Sequence, residues 1–373
     1  MKPIRGIRPI FAAAMMAAGG AAVFLLLPML VGQMVELRGL NESQAGIVAS
    51  SYFATYFLTG ATAFVWISRV RWRAAGFLAY ILMASGLLLA AGASGFYSLV
   101  LSLAVSGAGG GMLFALGVAV ISATADADRN FGWVLVAQQS LAAILLLVIP
   151  AWIVAHWGFP GSFLFLTVAI CVLGVSVVWV PASPVKEAVA GSFETANPTP
   201  VRLALLALVL HFTALSAIWA FVERLAAAND LDQVQIGNAL ALSMLGGLMG
   251  AFLVTWLADR VGRRIPLWVS ALAFALICTG YATSFDWWGF VLLTGGLSFA
   301  WNFVLAYQMG IIAGLDSDGR HAVLMPAAQA GGAMLGPAIG GWLMLGGGHM
   351  LLLGSASLGV VLATGVFSRY CKV

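Results

Sequence analysis

Phe212, Ser216, Trp219 and Glu223 follow one another at spacings of 4, 3 and 4 inside one long apolar run. That spacing puts all four on one face of a helix, with His211 beside them. A carboxylate, a hydroxyl, an imidazole and two aromatic rings could together bind a solute and exchange a proton. Another run holds Trp301, Asn302, Tyr307 and Gln308, a third Gln138 and Gln139, and a fourth Tyr52, Thr55 and Tyr56. Aromatic rings mixed with amides suit a partly apolar solute with a few hydrogen-bonding groups. An aromatic-rich packing interface has the same composition. Glu223 and Arg224 fall near the end of their run. They read either as coupling or gating groups or as a pair snorkelling to an interface. His211 is a candidate solute ligand, although a lone helical histidine also serves to satisfy a neighbouring carbonyl.

Other chemistries lack their residues. No metal-ligand cluster, nucleophile triad or nucleotide loop can be assembled, so neither an enzyme nor a cofactor is expected. Gly109, Gly110 and Gly111 lie inside an apolar run with no Gly-Lys-Ser/Thr after them. They read as a close-packing site rather than a phosphate cradle. Cys171, Cys278 and Cys371 have no CxxC spacing and are odd in number, which argues against a disulfide framework.

The elements that must position these residues follow from composition. The chain is 62% hydrophobic and 8% charged, with a mean hydropathy of +1.04. Soluble proteins are roughly 45–50% apolar, so the solvent for this excess has to be lipid. The net charge of +4 comes from short basic loops rather than a basic domain, which argues against nucleic acid as a partner. A helix needs about 20 mostly apolar residues to cross a bilayer. Twelve runs qualify, near 10–32, 44–67, 74–94, 97–124, 132–155, 160–180, 201–225, 235–257, 266–284, 287–313, 321–344 and 347–368. They are continuously apolar and too long for barrel strands, so helices are expected. The first run follows Lys2, Arg5 and Arg8 but is too long for a signal-peptide core, and is read as a retained span.

With the N-terminus inside, fifteen of the 17 Lys and Arg residues fall on the inner side and only Arg38 and Arg224 on the outer. That bias predicts cytoplasmic termini. The longest connection, 182–200, divides the chain into a bundle over 1–181 and another over 201–373. The two halves repeat. Arg69 and Arg260, Arg73 and Arg264, Arg129 and Arg320, Gln138 and Gln329, Gln44 and Gln235, Gly46 and Gly237, and Pro9 and Pro200 are all 191 residues apart. Six spans per half keep both halves in the same orientation, so the repeat is parallel.

The loop Thr255 to Pro266 resembles the loop motif of the major facilitator superfamily, Gly-x-x-x-Asp-Arg-x-Gly-Arg-Arg. Asp259, Arg260, Gly262, Arg263 and Arg264 match, and Thr255 stands where the first glycine would be. The offset of 191 places the first-half copy at Ser68 to Arg73, where Ser68 replaces the aspartate and Arg71 the glycine. Gly332, Gly336, Pro337, Gly340 and Gly341 match the family's Gly-x-x-x-Gly-Pro-x-x-Gly-Gly, read here as helix packing. In exporters of the family that pattern belongs to span five, where this chain has Leu141, Leu145, Leu146, Ile149 and Pro150. The family's usual span-four arginine is also missing.

The resemblance implies an all-α integral membrane protein of twelve transmembrane helices in two pseudo-symmetric six-helix bundles. It implies a monomeric secondary transporter in a bacterial inner membrane, moving a small organic solute by alternating access, with protons as the coupled ion. The direction stays open. In the family this loop latches one access state, a role that would fall to Asp259 and the arginines around it. The eroded first-half loop leaves a second reading open: a non-transporting membrane sensor or assembly partner with the same fold.

Overall fold

Packing without a polar medium requires every backbone group to be satisfied within its own segment, and helices do this. The computed structural model describes residues 4, 6–124, 127–182, 199–257, 260–315 and 324–371. Among them the chain is helical throughout, apart from short connections and a single bridge between Ile4 and Thr124. The expected connection over 182–200 falls mostly outside the described residues.

The helices are α1 (Ile7–Leu25), α2 (Leu27–Glu36), α3 (Glu42–Ala61), α4 (Ala63–Trp66), α5 (Trp72–Ala91), α6 (Phe96–Ser122), α7 (Ala127–Val148) and α8 (Ala155–Gly174). They continue as α9 (Thr199–Ala227), α10 (Gln233–Leu257), α11 (Arg264–Tyr281), α12 (Trp287–Leu315) and α13 (Met325–Arg369). The first apolar run is broken at Leu26, with Pro28 in the first turn of α2, where a missing N–H does no harm. A π-helical turn, Ile149–Val154, carries Pro150 and joins α7 to α8, a detail that the apolar pattern did not foretell.

Two helical runs are too long for one crossing. Residues 129–179 run helically for 51 residues and α13 for 45. At about 1.5 Å per residue each exceeds a hydrocarbon core of about 30 Å twofold. Each bends at a glycine in the left-handed region, Gly158 (φ 57°) and Gly348 (φ 66°). A side chain would be strained at either point. The expected breaks between spans five and six, and eleven and twelve, fall close to these two residues.

The chain groups into two units. One comprises Met1–Leu40 and Ile47–Ala188, the other Asn41–Gly46 and Val189–Val373. In the first, small residues let helices touch backbone to backbone. Gly20 lies on Gly110 and Phe114, Gly117 on Ala13 and Ala17, Gly86 on Ser102 and Ser106, and Gly109 on Ala79 and Met83. The glycine run is thus a packing seam. In the second unit, α9 is the most buried helix and packs chiefly on α13. Gly246 and Gly250 of α10 lie on the backbone of Gly295 and Phe299 in α12. Large apolar side chains cover the outside, with Phe252 and Leu292 each 75% exposed. A water-facing surface would not carry so much apolar area.

Two helix starts are capped alike. Asn41 and Gln44 cap α3 reciprocally: the Gln44 amide N–H donates to Asn41 Oδ1 at 2.8 Å and the Asn41 N–H to Gln44 Oε1 at 3.1 Å. Asp232 and Gln235 do the same at α10, at 2.8 and 3.0 Å. Both pairs are capping boxes, and they stand 191 residues apart.

Candidate functional site

In the second unit, α9 and α12 bring together three of the expected aromatic side chains. Trp301 of α12 meets Phe212 edge-on at 6.0 Å and Trp219 at 6.4 Å. Edge-to-face rings prefer this separation and hold one another in place. Asn302, next to Trp301, donates from Nδ2 to the Ser298 carbonyl at 2.9 Å, leaving its oxygen outside that bond. Tyr307 and Gln308, two turns further along α12, are buried. Neither polar atom of the Gln308 amide has a hydrogen-bond partner among the described residues. An unpaired buried amide is costly, and is a place where a polar guest group would bind favourably.

Ser216 lies elsewhere on α9. Its hydroxyl donates to the Phe212 carbonyl at 2.6 Å and approaches the Gly332 carbonyl of α13 at 3.2 Å. It therefore sits at the α9–α13 seam. Gly332, Gly336 and Gly340 line that seam, against Phe212, Ser216 and Ala217 respectively. Gly341 points away from it onto the Glu42 backbone, and the Pro337 carbonyl meets Gly46. Glu223, in the last two turns of α9, is 4% exposed, and Arg224 follows it half-buried. A carboxylate this well covered is costly to hold in an apolar medium.

The loop after α10 is described from Arg260 onward; Asp259 lies outside the described residues. Arg260 stacks over the Trp256 ring at 5.2 Å. Gly262 turns the chain with a φ of 63°. Arg263 reaches α12, its Nη1 donating to the Gly310 carbonyl at 3.0 Å. Arg264 opens α11. Beside them, burial pushes the Cys371 thiol pKa up, while Arg263 and Arg264 pull it the other way. The first-half counterpart uses a different residue. Arg73 donates from Nε and Nη2 to the Val180 carbonyl at 3.1 and 3.0 Å.

The first unit holds the remaining candidates. Tyr52 is buried and donates to the Gly20 carbonyl at 3.2 Å. Its ring neighbours Phe53 and Tyr56, and Tyr56 neighbours Phe114. Gln138 donates from Nε2 to the Ala17 carbonyl at 3.3 Å, and its repeat mate Gln329 to the Met309 sulfur at 3.7 Å. Gln139 is buried, and its Oε1 has no hydrogen-bond partner among the described residues. Sequence reasoning missed Ser270 and Thr364, which lie with His211 around a small cavity in the second unit. Lone hydroxyls in apolar runs carry no sequence signal.

Comparison with known proteins places the chain as follows. The sequence model of the Major Facilitator Superfamily matches residues 10–208, just over half of the chain. No curated protein matches the sequence. Among solved structures, the crystal structure of the nucleoside transporter NupG superposes with a TM-score of 0.76 at 14% identity, over 99% of this chain and 100% of its own. A bacterial homologue of the human lysosomal transporter Spinster, inward-facing and unoccupied, gives 0.69 at 13% identity, over 97% of this chain and 94% of its own. At such identities the likeness is one of fold.

Proposed function

The chain belongs to the major facilitator superfamily, and on that premise we propose that it is a secondary active transporter for a small, partly apolar organic solute. The solute crosses by alternating access of two six-helix bundles, twelve spans in all, in a bacterial inner membrane with both termini cytoplasmic. The bundles cover 1–181 and 201–373, joined by a linker over 182–200. The working unit is a monomer, and protons drive it.

One observation carries the solute class. Phe212, Trp219 and Trp301 form a ring cluster with Asn302 adjacent, on two helices of one unit. Such a wall takes a flat, partly apolar group and reads a hydrogen-bonding edge. A nucleobase has this shape, and NupG is a nucleoside transporter. Nucleosides are therefore the first solutes to try, with other aromatics, organic acids, sugars and amphiphiles beside them. No central lysine or arginine supports a phosphorylated solute. Tyr52, Tyr56, Gln138 and Gln139 are the first-half candidates for the same solute, with His211, Ser216, Tyr307 and Gln308 completing the second-half set.

Glu223 and Arg224 are the coupling pair in this proposal, since the buried carboxylate lies on the helix that carries the ring cluster. The loop arginines Arg260, Arg263 and Arg264, with Asp259, act as the latch. The test is flux in proteoliposomes, with and without a pH gradient. Uptake that follows the imposed gradient supports proton coupling. Binding of a solute with no flux under any gradient would favour the second reading, a non-transporting sensor or assembly partner. The eroded first-half loop, with Ser68 in place of the aspartate and Arg71 in place of the glycine, is the feature that favours that reading.

A further inference from the structure

Among the described residues, most serine and threonine hydroxyls bond back to a carbonyl three or four residues earlier, as Thr213, Ser216, Thr294 and Ser355 do. In an apolar medium this keeps a lone hydroxyl satisfied. Ser270 of α11 and Thr364 of α13 depart from the habit. Their hydroxyls have no hydrogen-bond partner among the described residues, although the residues are 5% and 1% exposed. Both nitrogens of His211 on α9, 3% exposed, are in the same condition. These three side chains, from three helices, line one cavity. Trp301 of α12 also lines it, and Phe274 and Val360 are among its apolar walls.

One stranded hydroxyl could be a local accident of packing. Ser106 and Ser162 also lack partners, and they do not share this cavity. Stranded polar side chains from three helices lining one space are different, because each is costly unless something is bound there. The cavity has room for about one water molecule. No charged side chain lines it, so its guest is uncharged. An imidazole offers one donor and one acceptor, and each hydroxyl offers both. A water needs about three such partners.

We propose that His211, Ser270 and Thr364 form a buried water site inside the second unit, with the water bridging α9, α11 and α13. His211 then holds this internal water with one ring nitrogen, the other nitrogen facing away from it. The site stands next to the ring cluster, because Trp301 lines the cavity and also packs on Phe212 and Trp219. The inference rests on buried polar atoms and a cavity, and does not depend on the transport proposal.

The sign of a stability change tests it, using purified full-length protein. Ser270→Ala and Thr364→Val keep the shape of each site, so both variants fold. If a water is held, each substitution removes one of its partners and lowers Tm by a few degrees. The double variant then loses less than the sum, since both act on one shared guest. If no water is held, each substitution removes a stranded hydroxyl. Tm is then unchanged or rises, and the effects add; that result overturns the proposal. Density gives an independent reading. A structure resolving ordered waters elsewhere in the protein should show a peak within hydrogen-bonding distance of His211, Ser270 and Thr364, and its absence would also overturn the proposal.

Discussion

Gly336 of α13 faces Ser216 of α9 so closely that a methyl group on Gly336 would overlap the Ser216 hydroxyl and crowd the Thr213 carbonyl. The two helices approach at this point because neither presents bulk. Without a hydrophobic force between helices in lipid, close packing and interhelical polar contacts supply much of the association. Gly336→Val should therefore destabilise the second unit by about 1–3 kcal/mol, the usual cost of overpacking. Ser216→Ala should cost less, about 0.6 kcal/mol for a lost interhelical hydrogen bond. Thermal unfolding in detergent gives the ranking, and a larger loss for Ser216→Ala would contradict it.

The paired capping boxes make a symmetric prediction. Asn41→Ala and Asp232→Ala each remove the same side-chain acceptor from the same position of a helix start. Each should lower stability by about 1 kcal/mol. A clear loss at one site with none at the other would show that only one copy still needs its cap.

Glu223→Gln keeps the shape of the side chain and removes its charge. In proteoliposomes we expect solute exchange to survive while accumulation driven by a pH gradient is lost. A variant that still accumulates solute with unchanged pH dependence removes Glu223 from coupling.

Trp301 joins two residues of α9, so its loss should be felt in binding. Trp301→Ala is expected to raise KM at least tenfold, while Tyr97→Ala, at an exposed ring, leaves KM unchanged. Equal KM values for the two variants would place the solute elsewhere.

The loop arginines differ in what they hold. Arg263 fixes the loop to the Gly310 carbonyl, whereas Arg260 rides on Trp256 of the preceding helix. Arg263→Gln should thus slow turnover more than Arg260→Gln, measured as initial flux at saturating solute. The reverse order would put the latch on Arg260. A companion pair, Asp259→Asn and Ser68→Ala, tests whether the second half carries the latch alone; equal effects would reject that asymmetry.

Much of the architecture was legible in order along the chain. Apolar runs of membrane length announce helices because lipid leaves a backbone no other partner. The capping boxes at Asn41 and Asp232 stand at the offset of 191 read from the sequence. The small-residue pattern of α13 pointed to helix packing, and Gly332, Gly336 and Gly340 do face α9. Less legible were the breaks inside long runs. The break at Leu26 and the π turn at Ile149–Val154 left the apolar pattern unchanged, and that pattern was the main signal available.

The sequence by itself determined the solvent and the helical class, because these depend on composition and spacing, which are local and periodic. Tertiary structure decided which polar groups are partnered. The repeat made mates of Arg73 and Arg264, yet the carbonyl clamps are made by Arg73 on Val180 and by Arg263 on Gly310. Phe212, Ser216 and Trp219 share a helical face, yet Ser216 turns to the α13 seam while the rings turn to Trp301. Ser270 and Thr364 carried no signal at all until folding set them around one cavity with His211. Hydrogen bonding acts over about 3 Å, so it is settled by which helices meet and at what register, and that is fixed only when the helices pack.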